Sequence, residues 1–484
     1  MRLSTDTLKN LPDGVAGPSY DRRALTPGIL HIGLGNFHRA HQAVYLDALF
    51  DLGLDHDWAI IGAGIMPFDR ERREMLDRQD YLTTVVEMSE DRRDARVTGA
   101  MIGFCPVDTQ SIIRQIADPA IRIVSLTITE GGYFIDATTG AFDPQDPDII
   151  HDAQNPTEPR TVFGLLLAGL ALRRQNGHPP PTILSCDNIP DNGRITRQAL
   201  CGLAAMYSPE LCDWISRNVA FPGSMVDRIT PATTDSTRAL VKQRFGIIDA
   251  APVACEPFRQ WVMEDNFPLG RPALEKVGVQ FVQDITPFET MKLRILNAGH
   301  AAIAYPSALM GHAFVHDAMA DPDISDWLDQ LMRREVIPTL QPVPGLDYRD
   351  YLDTCTRRFS NPAVRDTIAR LCQDGSNRQP KFVLPTLTAA LDQSRDIEGL
   401  ALEVAFWCRY CAETADLDDP RAAMLARAAR DCSDPPAGFL ALGDVFGPLQ
   451  HNAVFATAFA RHIKALREQD ARTVLRRYLN RKEA

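Results

Sequence analysis

The sequence predicts an α/β fold in two parts, a doubly wound parallel sheet followed by a mainly α-helical region. Three observations carry this reading. Short apolar or β-branched runs alternate with helix-like stretches through the first part of the chain, the pattern of a parallel sheet covered by crossover helices. From about Thr286 onward, run after run has helical periodicity and strand signals nearly vanish. With 484 residues the chain is too long for one core, so two domains are expected, at 1–285 and 286–484.

GILHIGLG at 28–35 reads as a buried strand running into glycine, and NFHRAHQAVYLDALFDLG after it as a helix that stops at Gly53. A second strand is expected at 58–62, a polar helix at 69–78 and a strand-like run at 82–88. The β-branched stretch 121–128 ends in the turn TEGGY. An apolar helix at 161–174 is followed by a strand at 182–186 that ends at Asp187 and Asn188. Further on, DISDWLDQLMRREVIPTL, NPAVRDTIARLCQ, LPTLTAALDQ, LEVAFWCRYCAE and DPRAAMLARAARDC all read as helices. No repeat of 20–50 residues is present, so a solenoid is not expected.

Composition narrows the function. Hydrophobic content of 45% and charged content of 24% are those of an ordinary globular protein. A net charge of −12 argues against a nucleic-acid or anionic-membrane surface. No apolar run approaches the roughly 20 residues that span a bilayer, and the polar N-terminus lacks the apolar core of a secretory signal. A cytoplasmic protein is expected, with a monomer compatible with the sequence. The ten cysteines read as reduced thiols, and the lone CxxC of Cys408 and Cys411 as core packing. Eleven histidines show no HExxH or similar spacing, so no metal is expected. Tyr478 and Lys482 form a YxxxK in the tail, far from any cofactor motif, and read as coincidence.

Gly33-Leu34-Gly35 follows a predicted strand and opens a predicted helix, the context in which backbone N–H groups hold a pyrophosphate. His38 stands where a third glycine would complete the fingerprint. Arg39 and the two histidines of FHRAH lie at the mouth of the loop, facing phosphate, substrate or solvent. An acid at the end of the second strand would bind the adenosine ribose, and Asp69 is the candidate. It would favour NAD by repelling a 2′-phosphate, although Arg70 and Arg72 stand beside it and an N-cap role for Asp69 fits as well.

The stretch 286–305, TPFETMKLRILNAGHAAIAY, reads as one helix with Thr286 as N-cap, Pro287 in the first turn and Glu289 as a capping-box acid. On a wheel of about 100° per residue, Lys292, Glu289, Asn297 and His300 share one arc of roughly 140°. A buried lysine can lose its charge and take a proton from an alcohol. Asn and His can hold a carbonyl or alkoxide oxygen. Gly299 between the two polar residues suggests a close approach to the backbone.

HIGLGNFHRAHQ, SLTITEGGY, SCDNIP, MVDRITP, KLRILNAGH and DGSNRQPKF occur in that order, from residue 28 to beyond 382. Together they resemble the long-chain polyol-specific (mannitol) dehydrogenase family. The resemblance implies a Rossmann-type N-terminal domain, a helical C-terminal domain and an active site formed by both. It implies NAD as cofactor, a small polyol or ketose as substrate, and interconversion of D-mannitol and D-fructose. Sugar acids such as fructuronate or tagaturonate, and D-arabinitol or D-sorbitol, are the alternative substrates. Carried over, Lys292 is the general base or acid, and Asn297 and His300 orient the reacting groups. Asn188 joins Asn297 at the oxyanion, and Asp227 contacts substrate hydroxyls. Arg378 stands where the family often has Lys, with Arg370 and Lys381 as further substrate-side candidates. Ile32, Gly33, Gly35, Asn36, Phe37, Asp69, Glu130 and Tyr133 are placed at the cofactor, the last two beside the nicotinamide. Glu289 would relay the proton or only cap the helix.

Overall fold

The computed structural model describes residues 1–136, 140–343, 345–431 and 437–481. The chain divides into two compact units, Met1–Thr286 and Pro287–Ala484.

The first unit is built on five parallel strands, β1 (Pro27–Ile32), β2 (Ala59–Ala63), β3 (Met101–Phe104), β4 (Ile123–Leu126) and β5 (Thr182–Ser185). Their order across the sheet is β3-β2-β1-β4-β5, all neighbours parallel. This is the doubly wound arrangement of a Rossmann-type sheet, with the chain reversing direction across the sheet at β1. Successive strand residues point to opposite faces, and both faces are covered. Leu30, Ile32, Val124, Leu126 and Ile183 pack with Ile116, Phe163, Leu166 and Leu200 on one side. Ile29, Ile60, Ile123 and Leu184 pack with Leu46, Leu49, Phe50 and Trp261 on the other. Burial on both faces is why these strands read as continuous apolar runs rather than alternating ones.

Three features of the first unit depart from the sequence reading, the first being β3, which is not among the expected strands. The helix expected from Asn36 to Gly53 is two helices, Asn36–Ala40 and Gln42–Asp51, because His41 at φ −122°, ψ −86° leaves the helical region. The strand Thr83–Met88 does not join the central sheet. It pairs antiparallel with Arg93–Thr98 and parallel with Val253–Cys255 in a separate four-stranded sheet. A third sheet joins Ser224–Asp227, Gln260–Glu264 and Gln280–Val282.

The described residues of the second unit form helices, with one isolated bridge between Phe314 and Thr367. NPAVRDTIARLCQ is helical only at Ile368–Cys372. The core gathers Trp327, Trp407, Phe406, Phe439 and Phe459 around the long helix Glu398–Glu413, whose Cys408 and Cys411 are core residues. Nine described cysteines are free thiols. Pro306 lies inside the helix Ala298–Leu309 and has no N–H to give the Ala302 carbonyl four residues back. The buried Trp327 indole Nε1–H donates to that carbonyl instead, at 2.8 Å. Tyr478 is buried and its hydroxyl donates to Glu335 Oε1 at 3.0 Å, so it packs the fold; Lys482 lies outside the described residues. Among the described residues no helix is long and apolar enough to cross a membrane.

Candidate active site

In the first unit the glycine loop leaves β1 at the switch point of the sheet. Gly33 has φ +95°, and a Cβ there would sit 2.1 Å from the Thr127 carbonyl oxygen. Only glycine fits such a position. Gly35 differs, because a Cβ would meet nothing nearer than the Gly33 oxygen at 3.9 Å. The protein itself does not require that glycine, and the open side of the loop suits the approach of a phosphate group.

His38, in the third-glycine position, turns inward. Its ring stacks on His31 of β1 with centroids 3.5 Å apart. His31 is hydrogen-bonded to Ser125 and Thr127 of the neighbouring strand and its end. Burial pushes His31 down to about 3 and His38 well below its ordinary value. Both are therefore neutral packing groups. Arg39 is likewise not at a phosphate mouth or in solvent. It is buried and donates to the carbonyls of Gly35 and Ala251 and to Asn36 Oδ1.

The remaining cofactor candidates separate into lining and supporting residues. Asn36 donates to the Pro231 carbonyl and Thr233 Oγ1, tying the loop down. Phe37 is half-buried and stacked on His41 at 4.8 Å. Ile32 is a core side chain, and its carbonyl accepts from the Thr127 N–H, so it supports the loop from behind. Asp69 lies just past β2 and is buried, accepting from the Met66 N–H at 2.9 Å and from Arg72 at 2.8 Å. A carboxylate has about four lone-pair positions, so acceptor capacity remains for ribose hydroxyls. The Asp69 side chain folds back over Gly64, where a Cβ would lie 2.3 Å from it.

The turn after β4 carries Glu130 exposed at its tip. Tyr133 is not a lining residue as expected; it is wholly buried and its hydroxyl reaches Ser185 Oγ and Asp187 Oδ2. Asp187 also accepts from the N–H groups of Ile128 and Thr129. Asn188, the next residue, is exposed at the end of β5. Asp227 ends the strand Ser224–Asp227, is buried, and pairs in register with Gln260.

In the second unit the expected single helix is three segments. Thr286–Met291 is α-helical, Lys292–Asn297 is a π-helix, and Ala298–Leu309 is α-helical again. Thr286 is the first helical residue rather than the cap, its N–H donating to Asp284 Oδ1. The π turn corrects the wheel. In i→i+5 bonding, residues five apart are linked through the backbone, so Lys292 and Asn297 stack one turn apart, and His300 follows three residues later in ordinary helix. The irregularity narrows the arc that a uniform α-helix would spread over roughly 140°. Lys292 is 8% exposed.

The His300 ring stacks on Phe359 at 4.1 Å. Burial, with the charges of Arg370, Arg358 and Arg378 added, pushes it down to about 3, so the imidazole is neutral at working pH. Arg370 pairs bidentately with Asp366 through the Nε–Nη2 edge of its guanidinium, and Arg378 donates to the carbonyls of Arg370 and Leu371. The arginines therefore form one cationic cluster around His300, while Lys381 is exposed. Gly299 has no close-approach role, since a Cβ would meet Phe359, Leu328 and Met332 at 3.4–3.7 Å, ordinary contact within the unit.

Two family models cover nearly all of these elements, the mannitol dehydrogenase Rossmann domain over residues 27–276 and the mannitol dehydrogenase C-terminal domain over residues 284–467. The chain belongs to the mannitol dehydrogenase family. Among proteins of this family, the mannitol 2-dehydrogenase of Cereibacter sphaeroides is 53% identical over 473 residues, covering 96% of this chain and 99% of that protein. The mannitol 2-dehydrogenase of Aspergillus fumigatus is 39% identical over 478 residues, 96% and 95% of the two chains. The structure is similar to the Pseudomonas fluorescens mannitol 2-dehydrogenase ternary complex with NAD and D-mannitol, with a TM-score of 0.87, 43% identity and full coverage of both chains. It is also similar to a D-sorbitol dehydrogenase in substrate-free form, with a TM-score of 0.91 and 36% identity, covering 98% of this chain and 100% of that one.

Sequence reasoning passed over two features of this member of the mannitol dehydrogenase family. Asp187 was legible as an acid at a strand end, directly before Asn188, but its neighbour drew the assignment. The π turn left no mark in the sequence beyond the five-residue step from Lys292 to Asn297.

Proposed function

We propose that the chain is an NAD-dependent oxidoreductase that interconverts D-mannitol and D-fructose. One observation in the structure carries the reading most directly: a buried lysine and an asparagine aligned by a π turn, followed by a neutral histidine in a cationic cluster. The named activities of the relatives support it.

The glycine loop fits a dinucleotide, since Gly35 leaves open the side of the backbone that a pyrophosphate would meet. Gly33, Gly35 and Asp69 would hold it. A bound NAD would supply a hydride acceptor for the carbinol carbon, and NADH the hydride donor in the reverse direction. Lys292, as the neutral amine, takes the hydroxyl proton in oxidation and gives it back in reduction. Asn297 donates to the oxygen as negative charge develops, and Asn188 supplies a second amide donor for the same charge. Neutral His300 donates a hydrogen bond without fixing a positive charge beside the base. Asp227 and Arg378 recognise more distant hydroxyls, with Arg370 beside them. A cytoplasmic location agrees with the free thiols.

A second reading has its own support in the likeness to D-sorbitol dehydrogenase. D-Mannitol and D-sorbitol both give D-fructose on oxidation at C2 and differ only in configuration there. Reducing D-fructose with NADH and identifying the hexitol therefore separates them. D-Mannitol, formed in step with NADH consumption, is the expected product, with NADPH slower because Asp69 repels a 2′-phosphate. D-Sorbitol as the product would select the second reading. Turnover of fructuronate or tagaturonate with none of fructose would overturn both.

A further inference from the structure

We propose that Asp187 is a positioning residue: its buried carboxylate holds the turn after β4 in a conformation the chain would not adopt alone, and so sets Glu130 and Asn188 for the reaction. The inference rests on the reaction proposed above.

The turn has an unusual backbone. Thr129 has φ +65° and ψ +163°, a region open almost only to glycine. A β-branched residue is among the worst choices there. Two glycines follow Glu130, yet Gly131 and Gly132 have ordinary negative φ, so the glycine-like position is filled by threonine. Phe134, at the far end, is also left-handed at φ +51°. A six-residue turn bracketed by two such residues persists only when its surroundings over-determine it.

Asp187 supplies that over-determination from a single side chain. Its Oδ1 accepts from the Thr129 N–H at 2.9 Å, and its Oδ2 from the Ile128 N–H at 2.8 Å and the Tyr133 hydroxyl at 2.7 Å. Both ends of the turn are thus pinned to one carboxylate. Ser185 Oγ reaches the Tyr133 hydroxyl at 2.6 Å, and the Asn192 amide donates to the Asp187 carbonyl. An ionised carboxylate suits this position because it only accepts. The isosteric amide would turn an N–H₂ against backbone N–H groups.

The consequence falls on the neighbours. Asn188 shares its backbone with the clamp. Glu130 stands at the tip beside Gly131, where an added Cβ would meet nothing within 4 Å. The protein leaves the space at the tip unfilled, and the clamp fixes what borders it.

The test uses the full chain, with steady-state kinetics on whichever ketose the wild type reduces, well below the melting temperature. Asp187→Asn should lower kcat about 10²-fold, as displacements of about 1 Å can do, with KM for NADH nearly unchanged. The primary deuterium isotope effect from 4-deuterated NADH should rise as hydride transfer becomes limiting, a change that loss of fold stability alone would not cause. Thr129→Gly removes the strain, so it should raise Tm in the wild type. In the Asp187→Asn background it should restore at least about tenfold in kcat, because glycine adopts the turn without the clamp. If Asp187→Asn does not fold, Tyr133→Phe removes one of the three contacts and should show the same isotope-effect trend in weaker form. Unchanged kcat and isotope effect in a folded Asp187→Asn enzyme, or no rescue by Thr129→Gly, would overturn the positioning role. A wild type with no ketose reductase activity would instead overturn the proposed reaction and this role with it.

Discussion

Each unit holds one irregular segment at its proposed functional residues, and the two are maintained in opposite ways. The turn at 129–133 has costly backbone angles and is held from outside by one carboxylate. The π turn Lys292–Asn297 has flanking residues at ordinary helical angles, Met291 at −55°, −51° and Ala298 at −67°, −31°. It is supported by its own apolar side, Met291, Ile295 and Leu296, all in the core. The first arrangement can be undone by changing one side chain elsewhere. The second resists such changes and yields only to a change in the number of residues. Local geometry is thus held once by a clamp and once by register.

Three experiments bear on this contrast. The largest effect is expected from Lys292→Ala, which should lower kcat by about 10³-fold or more by removing the proton acceptor. NADH affinity and far-UV circular dichroism should stay unchanged, since the π turn does not depend on that side chain. A parallel loss of NADH binding would show that Lys292 shapes the unit rather than the chemistry. Inserting one alanine after Leu293 should come next. It adds a residue between Lys292 and Asn297 and turns Lys292 by about 100° relative to Asn297 and His300. Folded protein with kcat reduced about 10²-fold, as misplaced catalytic groups show, is expected; full activity would mean that the register is irrelevant.

The smallest effect concerns Glu403. It is buried, accepts from Gln379 Nε2, and has a second oxygen without a partner, and burial pushes it up to about 8. Gln379 belongs to the helix Gly375–Phe382, which packs against the π turn. The folded protein keeps this proton to higher pH than the unfolded chain does. The stabilisation is complete below the ordinary carboxyl range and is lost as pH rises through about 8. Wild-type Tm should therefore fall between pH 6 and pH 9, and Glu403→Gln should remove about half of that fall. Glu335, pushed up to about 7, leaves the rest. If the π turn is self-supporting, kcat should change less than about twofold in this variant, against the 10²-fold expected at Asp187.

Much of this was legible in the sequence. Four of the five central strands, the change to helices near residue 286 and the glycine loop follow from local apolar runs and from glycine at a strand end, whereas the short strand Met101–Phe104 was not foreseen. What escaped depends on contacts between distant residues. The strand Thr83–Met88 looks like any other apolar run, and only its partners at 93–98 and 253–255 assign it to another sheet. His38 and Arg39 resemble a phosphate-binding pair, but His31 and the Ala251 carbonyl draw them inward. TEGGY reads as a turn from its glycines at 131 and 132, but the positive-φ residue is Thr129, held by Asp187 more than fifty residues later. The wheel at Lys292 assumed one helical repeat, and no residue pattern announced the change.

The hydrogen bond from Trp327 to the Ala302 carbonyl makes two distant positions contingent on each other. The imino acid at 306 is tolerable only while an indole at 327 satisfies the oxygen that it orphans. Losing the indole first would leave a buried acceptor unmet, at a cost of about 1–3 kcal/mol, whereas replacing Pro306 first restores a backbone donor and releases Trp327. Mutational paths through this helix are therefore ordered, and the order is written in one carbonyl.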